Sequence, residues 1–266
     1  MAFEDSYLFR LKSLVANPKK NIRRIWPFVQ SRINPYIIPI LGRVVDKKMM
    51  SPYIGHDEFI KYFDYRNGFF MECGGHDGYG SSPTYYLEKM LGWRGIIAEP
   101  LSTFHLCKRY RSKSKVYNCA VGSFEQGKDT VSLVDLNAMS FISGSIEDPN
   151  SWVKSGESVQ SVTAREIIVP IQPIQSLVDD YFSKYKMRPI DLFVVDVEGF
   201  EISVLKGLNF EKNPPSYILT EAHTDKRKDM IQKYLEEKNY ELVTEIGKRD
   251  FLFKRKVSRV FLKHQS

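Results

Sequence analysis

DLFVVDVEGFE, residues 191–201, sets a fully apolar run, Leu192 to Val195, directly against three carboxylates, Asp196, Glu198 and Glu201, with Gly199 between them. A strand that is apolar at every position is buried on both faces, as in a parallel sheet covered by helices. In such sheets the ligand crevice lies outside the carboxyl ends of the strands, which is where these acids fall. Gly199 lets the chain turn sharply there. Glu201 has a plainer role, because an acid in the first turn of a helix is favoured by the helix dipole by about 0.3–1 kcal/mol.

Outward from this stretch, short apolar runs alternate with helix-like segments. GFFMEC (68–73), GIIAE (95–99), KVYNCAV (115–121), DLFVVD (191–196) and YILTE (217–221) read as strands, and SPTYYLEKML (82–91), TFHLCKRY (103–110), 201–206 and 225–238 as helices. That alternation predicts an α/β fold, an open, doubly wound and mostly parallel sheet with right-handed helical crossovers. YELVTEIG (240–247) and RDFLFKRK (249–256), joined by a Gly-Lys-Arg turn, predict a C-terminal antiparallel hairpin closing the sheet. Residues 137–165, rich in Ser, Gly and Asn, read as an irregular substrate loop. Residues 1–50 have helical spacing at Leu8, Leu11, Leu14 and Val15 but are broken by Pro18, Pro27, Pro35 and Pro39, so they read as a basic helical N-terminal arm ahead of a domain over 51–266.

With 266 residues, 42% hydrophobic and 27% charged, the chain can bury one main core. Its three cysteines, Cys73, Cys107 and Cys119, have no zinc-like spacing and no even count for a disulfide framework, which fits a reducing, cytoplasmic setting. The start, MAFEDSYLFRLK, lacks a secretory pattern, and the run Pro35 to Val45 is interrupted and short of the roughly 20 residues that span a bilayer, so no transmembrane segment is expected. The net charge of +7 is clumped at Lys19, Lys20, Arg23 and Arg24, at KRYRSKSK (108–115) and from Lys248 to Lys263. Such patches suit an anionic partner or form a solvated basic face. Nothing in the sequence opposes a homo-oligomer.

The first strand runs into ECGGHDGYG, in which no frame supplies the G-x-G-x-x-G of a dinucleotide turn. What it supplies is an acid followed by spaced glycines, Glu72, Gly74 and Gly78. Glycines let the backbone turn beneath a small ligand, and the acid can accept hydrogen bonds from a cationic amino group, as on the methionine end of S-adenosylmethionine. Glu99 ends the next strand 27 residues after Glu72, near the roughly 20-residue spacing at which an acid captures ribose hydroxyls in doubly wound folds.

FFMECGGHDGYGSSPTYYLEKMLGWRGIIAEP, VYNCAVGS and DLFVVDVEGFEISVLKG, in this order, resemble the FkbM-type S-adenosylmethionine-dependent methyltransferases, over about GHDEF (55–59) to YILTEAH (217–223) and the hairpin beyond. The resemblance implies a class I methyltransferase (Rossmann-like) sheet of seven strands, the last antiparallel, and methyl transfer to oxygen on a sugar or secondary-metabolite hydroxyl. It implies a cofactor site of Glu72, Gly74, Gly75, His76, Gly78, Glu99, Pro100, Ala120 and Asp196. One departure is Ser82, Pro83 and Thr84, where the family often has Ser-Asn-Thr; proline at a first helical turn is well tolerated. The arm lies outside the resemblance.

An alcohol is a poor nucleophile while it keeps its proton, so the site needs a base or a metal. His223, at the end of the fifth strand, titrates near neutrality and is the expected base, with Asp196 near the sulfonium and Glu198 facing the acceptor. The alternative is Asp196, Glu198 and Glu221 holding Mg2+ through oxygen ligands. His76 is placed in the glycine turn, His105 in a partly buried structural role on a helix, and His56 with Asp57 over the amino-terminal side of the site. Cys73 and Cys119 read as small core residues. Two other classes compete. NPPSY (213–217) resembles the loop of nucleic-acid methyltransferases acting on exocyclic amines, but it precedes the fifth strand instead of following the fourth, and Ser216 replaces the stacking aromatic. A non-catalytic binding scaffold would keep the fold without the retained Glu72, Gly74, Glu99 and Asp196.

Overall fold

In the computed structural model, which describes Tyr53 and residues 55–123 and 129–256, the predicted alternation of strand and helix is present. The arm expected over 1–50 lies outside the described residues. In chain order the elements are α1 (His56–Phe63), β1 (Phe69–Cys73), α2 (Thr84–Leu91), β2 (Arg94–Ala98), α3 (Phe104–Tyr110), β3 (Lys115–Tyr117), β4 (Ala120–Gly122), β5 (Thr130–Asp135), a 3-10 turn (Asn137–Met139), β6 (Phe141–Ile142), α4 (Pro149–Gln160), β7 (Arg165–Pro173), α5 (Ile174–Lys184), β8 (Leu192–Val195), α6 (Glu201–Lys206), β9 (Tyr217–Glu221), α7 (Asp225–Glu237), β10 (Tyr240–Ile246) and β11 (Asp250–Arg255).

Seven strands form the main sheet in the order β10-β11-β9-β8-β1-β2-β3. β1 pairs in parallel with β2 and β8, β8 with β9, and β2 with β3, while β11 runs antiparallel to both β9 and β10. This is the class I methyltransferase arrangement, with the C-terminal hairpin where the sequence places it. β1 and β8 are buried at every residue because each has a strand on both sides and helices on both faces. Phe69, Met71, Phe193 and Val195 pack on one face with Leu177 and Val178 of α5 and Ile231 and Leu235 of α7. Phe70, Leu192 and Val194 pack on the other with Phe59 and Phe63 of α1 and Leu87 of α2. Each such side chain contributes about 1.5–3 kcal/mol when fully buried.

Two expectations change. KVYNCAV is not one strand: β3 ends at Tyr117 and β4 begins at Ala120 in a second sheet, ordered β4-β7-β5-β6. Asn118 makes the break, its side-chain amide donating to the carbonyls of Glu99 (2.9 Å) and Pro100 (3.2 Å) in place of a ladder partner. Residues 137–165 are likewise not irregular, since they contain the 3-10 turn, β6 and the twelve-residue α4. Asp148 caps α4 by accepting from the Ser151 amide (3.1 Å), with Pro149 in the first turn. The Ser/Gly/Asn composition hides this start signal. The second sheet, with its own small core of Leu133, Ile142, Val169 and Ile171, covers the carboxyl end of the main sheet.

Candidate active site

A cavity of about 480 Å³ opens at the carboxyl ends of β1, β2, β8 and β9. It lies at the switch point where the chain, having run outward from β1 to β2 and β3, returns on the other side of β1 as β8. Glu72, Gly74, His76, Glu99, Pro100, Ala120, Asp196, Glu198 and Glu221 line it, together with Leu133 and residues 137–142 of the second sheet. Gly75, Gly78 and His223 stand behind the wall.

The glycines serve packing. A Cβ on Gly74, whose φ is +85°, would lie 1.9 Å from the Asp196 carbonyl oxygen, so only glycine lets the turn after β1 touch the end of β8. Gly78 packs its apex on α3, where a Cβ would lie 2.9 Å from Cys107 Cα. Glu99 is buried; its carboxylate accepts from the His76 amide (2.6 Å), the Leu101 amide (2.8 Å) and the Thr103 hydroxyl (3.1 Å). Burial raises its pKa against the pull of those donors. His76 has φ +44° and its Nε2 meets Asn137 Oδ1 at 2.7 Å, joining the turn to the second sheet. Glu72 differs from expectation. It lines the cavity, but its oxygens also accept from Ser82 Oγ (2.7 Å), Thr84 Oγ1 and Arg111 Nη1 (3.1 Å), so much of its charge is met inside the protein.

At the other end, Asp196, Glu198, Glu221 and Asp250 converge. Asp196 is exposed by area and lines the cavity; the low-dielectric surroundings, then Glu221 and Glu198, hold its carboxyl well above the usual range. Glu221 is also desolvated, but hydrogen bonds from His223 and Asp196 outweigh that and keep it low. Asp250 is pushed up to about 6, chiefly by burial, against the Tyr53 hydroxyl that donates to its Oδ2 at 2.7 Å. Glu198 itself has φ +48° beside Gly199 at +94°, a left-handed pair that costs about 1–3 kcal/mol at the non-glycine residue. Arg227 supports this turn by donating to the carbonyls of Gly199 (2.6 Å) and Ser145. Glu201 accepts from the Gly199 amide (2.7 Å), the helix-start role expected of it.

His223 is not set up as a free base. Its Nε2 lies 2.7 Å from Glu198 Oε2 and 3.2 Å from Glu221 Oε2, and its Nδ1 lies 3.1 Å from Arg249 Nη1. Burial favours the neutral ring, but the two carboxylates overcome it and raise the pKa to about 9. Arg249 pulls the other way, because a guanidinium can only donate and its contact needs an unprotonated Nδ1, yet it is one cation against the two carboxylates on Nε2. Trp152 of α4 closes on the ring edge-on, with centroids 4.7 Å apart. The metal-capable trio among the described residues is Glu198, Glu221 and His223, with one ligand atom each within 4.8 Å of the others, so His223 takes the place expected of Asp196.

His56 is buried against Tyr86 at the start of α1, and His105 is exposed instead of partly buried. NPPSY is at the amino end of β9, away from the cavity, with Asn213 buried and bonded to Gln175. Cys73, Cys107 and Cys119 are buried free thiols. Sequence reasoning missed Tyr53, Asp250, Asn137 and Arg111. Arg111 was hidden in KRYRSKSK, which reads as surface charge although this residue is 0% exposed. Among the described residues no helix is long and apolar enough to cross a membrane.

The family model of the methyltransferase FkbM domain matches residues 72–242. Among solved structures, a SAM-dependent methyltransferase from Aquifex aeolicus is 12% identical, with 84% of this chain and 97% of that one covered and a TM-score of 0.40. Precorrin-6y C5,15-methyltransferase from Geobacter metallireducens is 8% identical over 76% and 88%, with a TM-score of 0.39. M. capricolum TrmK in complex with S-adenosyl-homocysteine is 9% identical over 74% and 66%, with a TM-score of 0.36. A search of curated proteins finds no match.

Proposed function

This chain belongs to the FkbM methyltransferase family, and we propose that the S-adenosylmethionine-dependent transfer it carries out is to a hydroxyl oxygen of a carbohydrate. The observation that supports this acceptor is the polarity of the cavity. Four carboxylates crowd one end, and no lysine or arginine lines the wall among the described residues. Such a wall offers many acceptors to a polyhydroxyl molecule and repels a phosphate backbone.

The residues fit the cofactor. Glu99, pinned by three donors, retains one acceptor site on Oε2 for a ribose hydroxyl, and the negative end of the cavity suits a cationic ligand. When bound, S-adenosylmethionine supplies a methyl group on positively charged sulfur. Holding the acceptor oxygen in line can itself remove up to about 7–11 kcal/mol of barrier. The base role passes from His223 to Glu198, which lines the cavity; its carboxyl is raised by burial toward the range where a base works best. His223 holds Glu198 in place and carries the compensating charge. Asp196, hydrogen-bonded to Glu221, orients the acceptor hydroxyl.

A divalent cation such as Mg2+ on Glu198, Glu221 and His223 is the second reading, favoured by their spacing. An imidazole nitrogen suits Mg2+ less well than oxygen, and the three groups already satisfy one another. Activity lost to EDTA and restored by magnesium would select it. The acceptor is tested by mass spectrometry of glycans and nucleic acids from cells with and without the gene. A methyl ether lost from a sugar supports the proposal, and a methyl lost from nucleic acid with glycans unchanged overturns it.

A further inference from the structure

We propose that Arg111 is the positioning residue of the cofactor turn, a buried guanidinium that fixes the backbone from Gly74 to Ser82 and holds Glu72 as a strut of that turn. This inference rests on reading the cavity as the S-adenosylmethionine site. Arg111 follows α3 and has no exposed surface. Its Nε donates to Glu88 Oε2 at 3.0 Å. Its Nη1 faces Glu72 Oε2 (3.1 Å), Ser82 Oγ (3.0 Å) and the Gly78 carbonyl (3.4 Å), and its Nη2 donates to Thr84 Oγ1.

These partners are the entry, apex and exit of the turn and the first residue of α2. One planar group therefore ties together the entry, apex and exit of the turn. The contact is steric as well, since a Cβ on Gly78 would lie 2.8 Å from Arg111 Cγ, and the Phe70 ring packs 5.2 Å from the guanidinium carbon. Glu88 aims the group. It is buried and also accepts from the Lys113 amide (3.1 Å), the Ser114 hydroxyl and Lys89 Nζ (3.3 Å), so the guanidinium plane is fixed from the side away from the cavity. A lysine could supply the charge but not the fork, because an ammonium is a point charge without planar, divergent donors.

The Arg111→Lys variant tests this with calorimetric titration of S-adenosylmethionine and S-adenosylhomocysteine, and with amide hydrogen exchange. A folded variant is expected to bind both ligands about tenfold or more weakly and by equal factors, since the lost fork shapes a turn common to both. Amides of residues 74–82 should lose protection while those of β8 keep theirs. Affinities within about threefold of wild type, with only the lysine charge in place of the fork, overturn the proposal. Should the variant not fold, Glu88→Gln leaves Arg111 in place, loosens its aim and reads the same quantities in the same direction. Wild-type protein binding neither ligand would refute the reading of the cavity as the S-adenosylmethionine site, and turn-specific exchange would still decide the role of Arg111.

Discussion

Replacing Glu99 by alanine removes an acceptor that the protein itself uses three times, for the His76 amide (2.6 Å), the Leu101 amide (2.8 Å) and the Thr103 hydroxyl (3.1 Å). Leaving a buried donor unsatisfied costs about 1–3 kcal/mol, so the two amides set a range of about 2–6 kcal/mol. Two effects move the outcome to its lower end. The residue lines a cavity that admits water, and removing a desolvated carboxylate returns part of its burial cost. A stability loss of about 2 kcal/mol is therefore expected without ligand. On the reading that the ribose is held here, the hydroxyl bond to the free site on Glu99 Oε2 is lost as well, worth about 1.5–3 kcal/mol, which weakens S-adenosylmethionine binding by about tenfold or more. Urea unfolding followed by circular dichroism reads the first quantity, and calorimetric titration of the folded variant reads the second. Cofactor affinity within about threefold of wild type would show that the ribose is held elsewhere. Unchanged stability would refute the accounting of the three protein bonds.

The raised pKa of His223 predicts a pH dependence. Its stabilising contribution is fully present below pH 6.5 and is lost as pH rises through about 9, amounting to about 3 kcal/mol at most, and melting curves of His223→Gln should lack that decline. Glu198→Gln should lower turnover by about 10²–10⁴ with cofactor affinity little changed, as for loss of a general base, and a variant as active as wild type would return that role to another group. Deletion of residues 1–50 should leave cofactor binding intact. Extending the deletion through Tyr53 removes the hydroxyl that Asp250 accepts from at 2.7 Å and should disturb the site, so equal binding by the two truncations would count against that contact.

The parallel sheet, its hairpin and the placing of Glu99, Asp196 and Glu198 in one crevice were legible because each depends on local pattern. Apolar runs at strand length mark β1 and β8 whatever surrounds them, and an acid at the end of such a run must fall at the sheet's carboxyl edge. The second sheet was not legible. β5 and β7 are half-exposed, and the short apolar run of β7, Ile167 to Val169, is cut by Pro170 and followed by Pro173, which argues against a strand. Nor could the sequence assign the charges to their partners. Arg111 meets Glu72 across 39 residues and His223 meets Glu198 across 25, pairings set by which strand ends lie side by side. The sequence by itself determined the strands and helices of the main sheet and that Glu99, Asp196 and Glu198 stand in the crevice, since periodicity and burial are properties of short segments. Only the tertiary structure decided that Glu72 is paired with Arg111 and that His223 is held between carboxylates, because Coulomb and hydrogen-bond energies depend on distances that chain order does not contain.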